Sequence, residues 1–162
     1  MSNPLWSPAN KTASILKWAD HLHKEAKNVF AKDGTHAGIL FAFSALEGLV
    51  SVTPIPGNTG SAQVNAAIRR AIRDHHLYGM ILIGEAWTYF TNPDDHIAFQ
   101  ILDGEMKVSD LKDSEKTECL YLKMESLDGD SVVFLDRIIR DGDRARLGAG
   151  QRIDGDVLAW FE

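Results

Sequence analysis

The chain has 162 residues, of which 44% are hydrophobic, 25% charged and 9% aromatic. These values exclude collagen-like, low-complexity and disordered chains, and the length suits one domain whose core needs no cross-links. The formal net charge of −6 is uneven: residues 1–81 carry 8 Lys/Arg against 5 Asp/Glu, and residues 82–162 carry 9 against 18, a balance that repels nucleic acid and attracts basic partners.

The first predicted element is a helix over residues 7–32. Ser7-Pro8 is a start signal, a hydroxyl cap followed by proline in the first turn. Ile15, Ala19, Leu22, Ala26 and Val29 recur at three- and four-residue spacing, flanked by Trp18 and Phe30, with Lys17, Lys24 and Lys27 off the stripe. Asp33-Gly34 ends the helix, because glycine takes the left-handed stop cheaply. A β-hairpin over 36–55 follows. Its first strand is rich in Ile39, Leu40, Phe41 and Phe43, Glu47-Gly48 makes the turn, and Pro54 and Pro56 stop the return strand. A loop at 56–61 opens a second helix over 62–75, with Val64, Ala67, Ile68, Ala71 and Ile72 on one face and Arg69, Arg70 and Arg73 on the other.

Residues 77–90 are the strongest strand signal. Apolar residues at both parities, among them Met80, Ile81, Leu82 and Ile83, predict a central strand covered on both faces. A short helix near 94–103 and a polar loop over 105–116 come next. In the last third, Asp-Gly-Asp recurs three times, 13 residues apart. Each is read as a hairpin turn, both residues tolerating positive φ. The runs between them make an antiparallel meander over 118–161, with Leu120, Leu122 and Met124 inward and a last strand at 157–161. The expected fold is α+β: a mostly antiparallel sheet built from an N-terminal hairpin, a central strand and a C-terminal meander, with two main helices on at least one face.

One thiol, Cys119, makes no internal disulfide and fits a reducing compartment. The N-terminus has no basic region followed by an apolar run, and no apolar stretch is long enough to span a bilayer. These features predict a cytoplasmic chain without membrane association. The Asp-Gly-Asp turns lack the ligand set of a calcium loop. His21 and His23, two apart on a helix, point about 200° apart. The histidines read as surface and cap residues, and neither a metal nor another cofactor is expected.

Three sets of residues are candidates for function. Glu85 sits inside the most apolar strand, where a carboxylate is costly unless paired. It is either a general base, acting with His36 and His75, or a structural partner of Arg137, Arg140, Arg144 or Arg146, and the structural reading is preferred. Gly57, Thr59, Gly60 and Ser61 open a helix and form a weak anion-binding candidate, although no lysine follows Gly60 as a phosphate loop requires. An ordinary N-cap at Thr59 or Ser61 explains the same residues. Finally, residues 94–118 hold eight carboxylates and three lysines. Asp110, Asp113 and Glu115 from this run, with an exposed Trp160, Trp6 or Phe161, are candidates for gripping a basic partner, although the same aromatics equally fit the core or a homodimer seam.

The long helix leading into Gly38-Ile39-Leu40-Phe41-Ala42-Phe43, the strand bearing Gly84-Glu85-Ala86-Trp87, the hairpin Glu118…Met124-Glu125…Asp128-Gly129 and the run Arg137-Ile138-Ile139-Arg140-Asp141 together resemble uncharacterised small α+β proteins of bacterial and phage genomes. The similarity spans about residues 20–148. It implies a microbial or phage origin and carries no catalytic residue. The leading expectation is therefore a non-enzymatic protein-binding module: an inhibitor of a host defence or nucleic-acid enzyme, or an immunity protein. A small enzyme or ligand-binding protein using Glu85 and the Gly57–Ser61 loop is the alternative. A homo-oligomer paired through a sheet edge, a homodimer in its simplest form, is the third.

Overall fold

The structure is a computed structural model that describes residues 4–57, 59–88, 117–155 and 160–161. A 3-10 turn, Pro8–Asn10, leads into helix α1, Lys11–Asp33. The expected hydroxyl cap at Ser7 is absent; instead the buried Ser14 hydroxyl accepts the Ser7 N–H at 3.0 Å and donates to the Asn10 carbonyl at 2.8 Å. Ile15, Trp18, Ala19, Leu22, Ala26 and Phe30 form the buried stripe. Val29 is 39% exposed and Phe30 fully buried, because Leu22, Ala26 and Phe30 continue the four-residue ridge and Val29 falls a step off it. Gly34, at φ 71°, closes the helix by donating its N–H to Phe30.

Strands β1 (Gly38–Ser44) and β2 (Gly48–Ile55) form the expected hairpin. Pro54 lies within β2 rather than ending it, since β2 is an edge strand and proline there sacrifices no interior ladder bond. Helix α2 runs Ser61–His75 with Gly60, not Thr59 or Ser61, at its N-cap and no side-chain cap bond. Val64, Ile68, Ala71 and Ile72 pack inward. Ala67 is exposed, one helical step away from that face. Strands β3 (Gly79–Thr88), β4 (Thr117–Ser126), β5 (Ser131–Asp141) and β6 (Arg144–Asp154) complete a sheet ordered β2-β1-β3-β4-β5-β6. Every neighbouring pair is antiparallel.

Register places Phe41, Ile81, Met124 and Val132 in one row across four strands, and Leu40, Leu82, Lys123 and Val133 in a row of opposite parity. The first row meets α1, and Leu40 and Leu82 of the second meet α2. The two helices thus cover opposite faces, and Met80, Ile81, Leu82 and Ile83 of β3 are all buried. Trp6 is drawn into the α1 layer, its ring 5.8 Å from Phe43 and its Nε1–H donating to the Ala45 carbonyl at 2.9 Å.

The Asp-Gly-Asp turns at 128–130 and 141–143 join consecutive strands as expected, but only their glycines take positive φ, 90° at Gly129 and 63° at Gly142. The flanking aspartates work elsewhere: Asp128 accepts the Tyr78 hydroxyl at 2.9 Å, and Asp130 accepts the Thr12 hydroxyl at 3.0 Å. The expected short helix near 94–103, the loop 105–116 and residues 157–159 of the expected last strand lie outside the described residues. Trp160 stands in a bend, not a strand.

Candidate functional site

On the α2 face of β3, side chains shrink along the strand from Met80 and Leu82 to Gly84 and Ala86. Beside Gly84 and Ala86 the sheet surface sinks, and a cavity of about 780 Å³ opens there. The start of β1, the end of β2, the first turns of α2 and β3, β4 and β5 all border it. Gly84 is closely approached: a Cβ there would stand 3.2 Å from the Tyr121 hydroxyl, tighter than ordinary van der Waals contact.

The polar groups at the cavity come in two sets. Glu85 Oε2 accepts the Thr35 hydroxyl at 2.8 Å and the His36 backbone N–H at 3.4 Å, while an Arg140 nitrogen lies 3.5 Å from Oε1. Arg140 in turn donates twice to Glu118, at 2.6 and 3.1 Å. That two-point bond pushes its guanidinium pKa above the ordinary value, and Glu85 adds a smaller effect in the same direction. His36 is 8% exposed, and its ring Nδ1 lies 2.7 Å from the Ala37 carbonyl. Because a carbonyl only accepts, Nδ1 carries the proton, and Nε2 is an acceptor in the neutral ring.

The second set comes from β4. Lys123 Nζ lies 3.1 Å from Glu125 Oε2 and 4.5 Å above the Trp160 ring. Trp160 donates through its backbone N–H to Glu125 at 3.2 Å and through Nε1 to Asn65 at 3.0 Å. Burial pushes the Tyr121 phenol pKa up. Tyr121, Lys123 and Asn65 were not singled out in the sequence. The alternation of β4 carries the only signal for the first two, since they occupy the parity opposite Leu120, Leu122 and Met124.

The fold gathers part of what the sequence proposed. His36, Gly57, Thr59 and Glu85 border one cavity, and Gly60 caps the helix beside them. His75 stands apart, exposed at the far end of α2, a helix of 15 residues and hence about 22 Å long. Nothing converges on a Glu85–His36–His75 triad. The exposed Trp160 expected for partner binding is instead 3% exposed and seated against α2. An indole facing Ile68 and Leu82 gains more from that contact than from water. Asp110, Asp113 and Glu115 lie outside the described residues. Two histidines read as surface residues are not: His36 is buried, and His23 is bonded to the buried Asp136 at 2.5 Å and stacked on Phe134. Among the described residues, no three His, Cys, Asp or Glu side chains gather as a metal ion requires, and no helix is long and apolar enough to cross a membrane.

Carboxylates of the meander are tied to cations on the chain itself. Asp141 lies 3.4 Å from Arg146, and Asp154 lies 3.0 Å from Arg152, which also reaches Asp20 at 3.6 Å. At the end of the sheet near Glu85, Thr88 of β3 pairs with Thr117 of β4.

A family model described as bacteriophage lambda protein ea47 matches residues 3–161. No curated protein and no solved structure matches the chain.

Proposed function

This chain belongs to the bacteriophage lambda protein ea47 family, and from that membership we propose that it is a phage-type cytoplasmic binding protein that occludes a basic protein partner. The partner is of the class of a host defence or nucleic-acid enzyme, or a toxin. One observation carries the reading. Glu118, Glu125, Asp136, Asp141 and Asp154 of the meander are matched to Arg140, Lys123, His23, Arg146 and Arg152, whereas residues 89–116, between strand ends that pair with each other, hold seven carboxylates and three lysines. A run with such an excess of negative charge steers onto a basic cleft, an attraction that weakens with salt. The locked state of Glu85, held by Thr35, His36 and Arg140, supports binding over bond-breaking.

The test is affinity capture from the phage's host at low salt, followed by the triple variant Asp110→Asn, Asp113→Asn, Glu115→Gln. A basic partner is expected, and its affinity falls about tenfold or more in the variant, as the loss of several steering charges implies. Recovery of no basic partner, or equal capture by the variant, rejects the reading.

The cavity favours a second reading, binding of a small anion. Thr59, Val64 and Asn65 border it together with Lys123, next to the start of α2, where no side chain caps the free N–H groups that attract anions. Inorganic phosphate is the probe. It should slow hydrogen exchange of the amides at 60–63, and Lys123→Met should abolish that protection. Unchanged exchange rates reject this second reading and leave the first untouched.

A further inference from the structure

Two strands lie at the edges of the described sheet, β2 and β6. An edge strand offers a row of N–H and C=O groups to any other strand, and natural sheets guard it with charge, proline or distortion. β6 is guarded. It carries Arg144, Arg146, Arg152 and Asp154, and its pairing with β5 shifts register between Asp136 and Ile138. β2 has a register shift against β1 between Ala42 and Phe43, at Val50, and Pro54, but no charge: Gly48–Ile55 contains no charged residue, residues 50–54 are all exposed, and Val50 and Val52 keep 44% and 53% of their surface in water. Leu46, in the adjoining turn, is 78% exposed. Pro54 blocks one position only, and Ser51, Val52 and Thr53 hold regular register with Ala42, Phe41 and Leu40.

We propose that β2 is a self-association edge, and that two copies of this chain join β2 to β2, antiparallel, about a two-fold axis. The sequence of the strand selects the occupant. A two-fold axis sets the same strand against itself, so any charge near the axis meets its own sign or an apolar neighbour. β2 avoids this by carrying none. With the axis at Ser51, Val50 of each copy lies beside Val52 of the other, so the exposed valines cover one another and cross-strand pairs of β-branched residues form. A strand bearing charge would set it against those valines without a counter-ion. β1 is also uncharged, but it is interior, so β2 is the uncharged strand that the described sheet leaves open. Main-chain hydrogen bonds supply the affinity of such strand addition. The inference does not depend on what the acidic run or the cavity binds.

Light scattering on the purified chain, at protein concentrations from about 1 to 300 µM, brackets the micromolar strength expected of a single strand pair. The mass should rise from 17.9 kDa toward twice that value. Val52→Lys, and separately Val50→Lys, should raise the dissociation constant about tenfold or more, since each places two like charges beside the axis. Because both positions are exposed, circular dichroism and Tm should stay at wild-type values. Gln151→Lys, on the exposed surface of β6, should leave association unchanged. A wild-type mass fixed at 17.9 kDa throughout overturns the proposal. So does undiminished association of both lysine variants, or dissociation caused by Gln151→Lys instead.

Discussion

Phe43→Ala should cost about 3–5 kcal/mol of folding stability, the range for truncating a fully buried aromatic. Phe43 has no exposed surface, stacks on Trp6 with centroids 5.8 Å apart and meets the edge of Trp18 at 5.7 Å. Trp6 also approaches Tyr78 at 5.9 Å, so one ring joins the N-terminal segment, α1 and the sheet. Removing it leaves a void bounded by stiff rings that cannot collapse into it, and such sites lie at the costly end of the range. In a domain of this size Tm should drop by roughly 10 °C or more. Urea denaturation measures the same quantity, and a loss below about 1 kcal/mol would mean that the aromatic cluster does not anchor the N-terminal segment. Leu46→Ala, at an exposed turn position, should change stability by less than about 0.5 kcal/mol.

Glu125→Ala should destabilise by a comparable amount, about 3–5 kcal/mol, for an electrostatic reason. The side chain is fully buried, accepts the Trp160 backbone N–H at 3.2 Å and faces Lys123 at 3.1 Å. Alanine strands a half-buried ammonium and leaves the Trp160 N–H without that acceptor. The damage concerns how Trp160 is held against α2, so it should also increase the solvent exposure of that indole. A double-mutant cycle with Lys123→Met separates the pair from the packing. Once both charges are removed, much of the loss should return, because a buried pair is worth little more than an apolar replacement of similar volume. If Lys123→Met/Glu125→Ala is as unstable as Glu125→Ala alone, the lysine is not what the carboxylate balances.

Local rules made most of the fold legible. The three- and four-residue spacing of α1 picked out Ile15, Ala19, Leu22 and Ala26, all buried, but set the buried Trp18 and Phe30 beside the stripe and the exposed Val29 in it, one helical step off. The double-parity apolarity of Met80–Ile83 announced a strand covered on both faces, which β3 is, and the structure adds that α1 covers one and α2 the other. The turn signals at Glu47-Gly48, Asp128-Gly129 and Asp141-Gly142 placed the strand boundaries. The site was less legible, because it depends on groups distant in sequence. Thr35 meets Glu85 across 50 positions, and Trp160 meets Asn65 across 95.

By itself, then, the order of residues determined the elements, their inward faces and the antiparallel meander. These follow from periods of 3.6 and 2 and from the φ that glycine allows, all short-range properties of the backbone. Only the tertiary structure decided which carboxylate meets which cation, that Trp160 turns inward, that His36 and Glu85 share a cavity from which His75 is remote, and that the uncharged strand stands at the edge. Pairing across a sheet is set by register and strand order, and these are fixed by burial summed over the whole chain, which no local window of sequence contains.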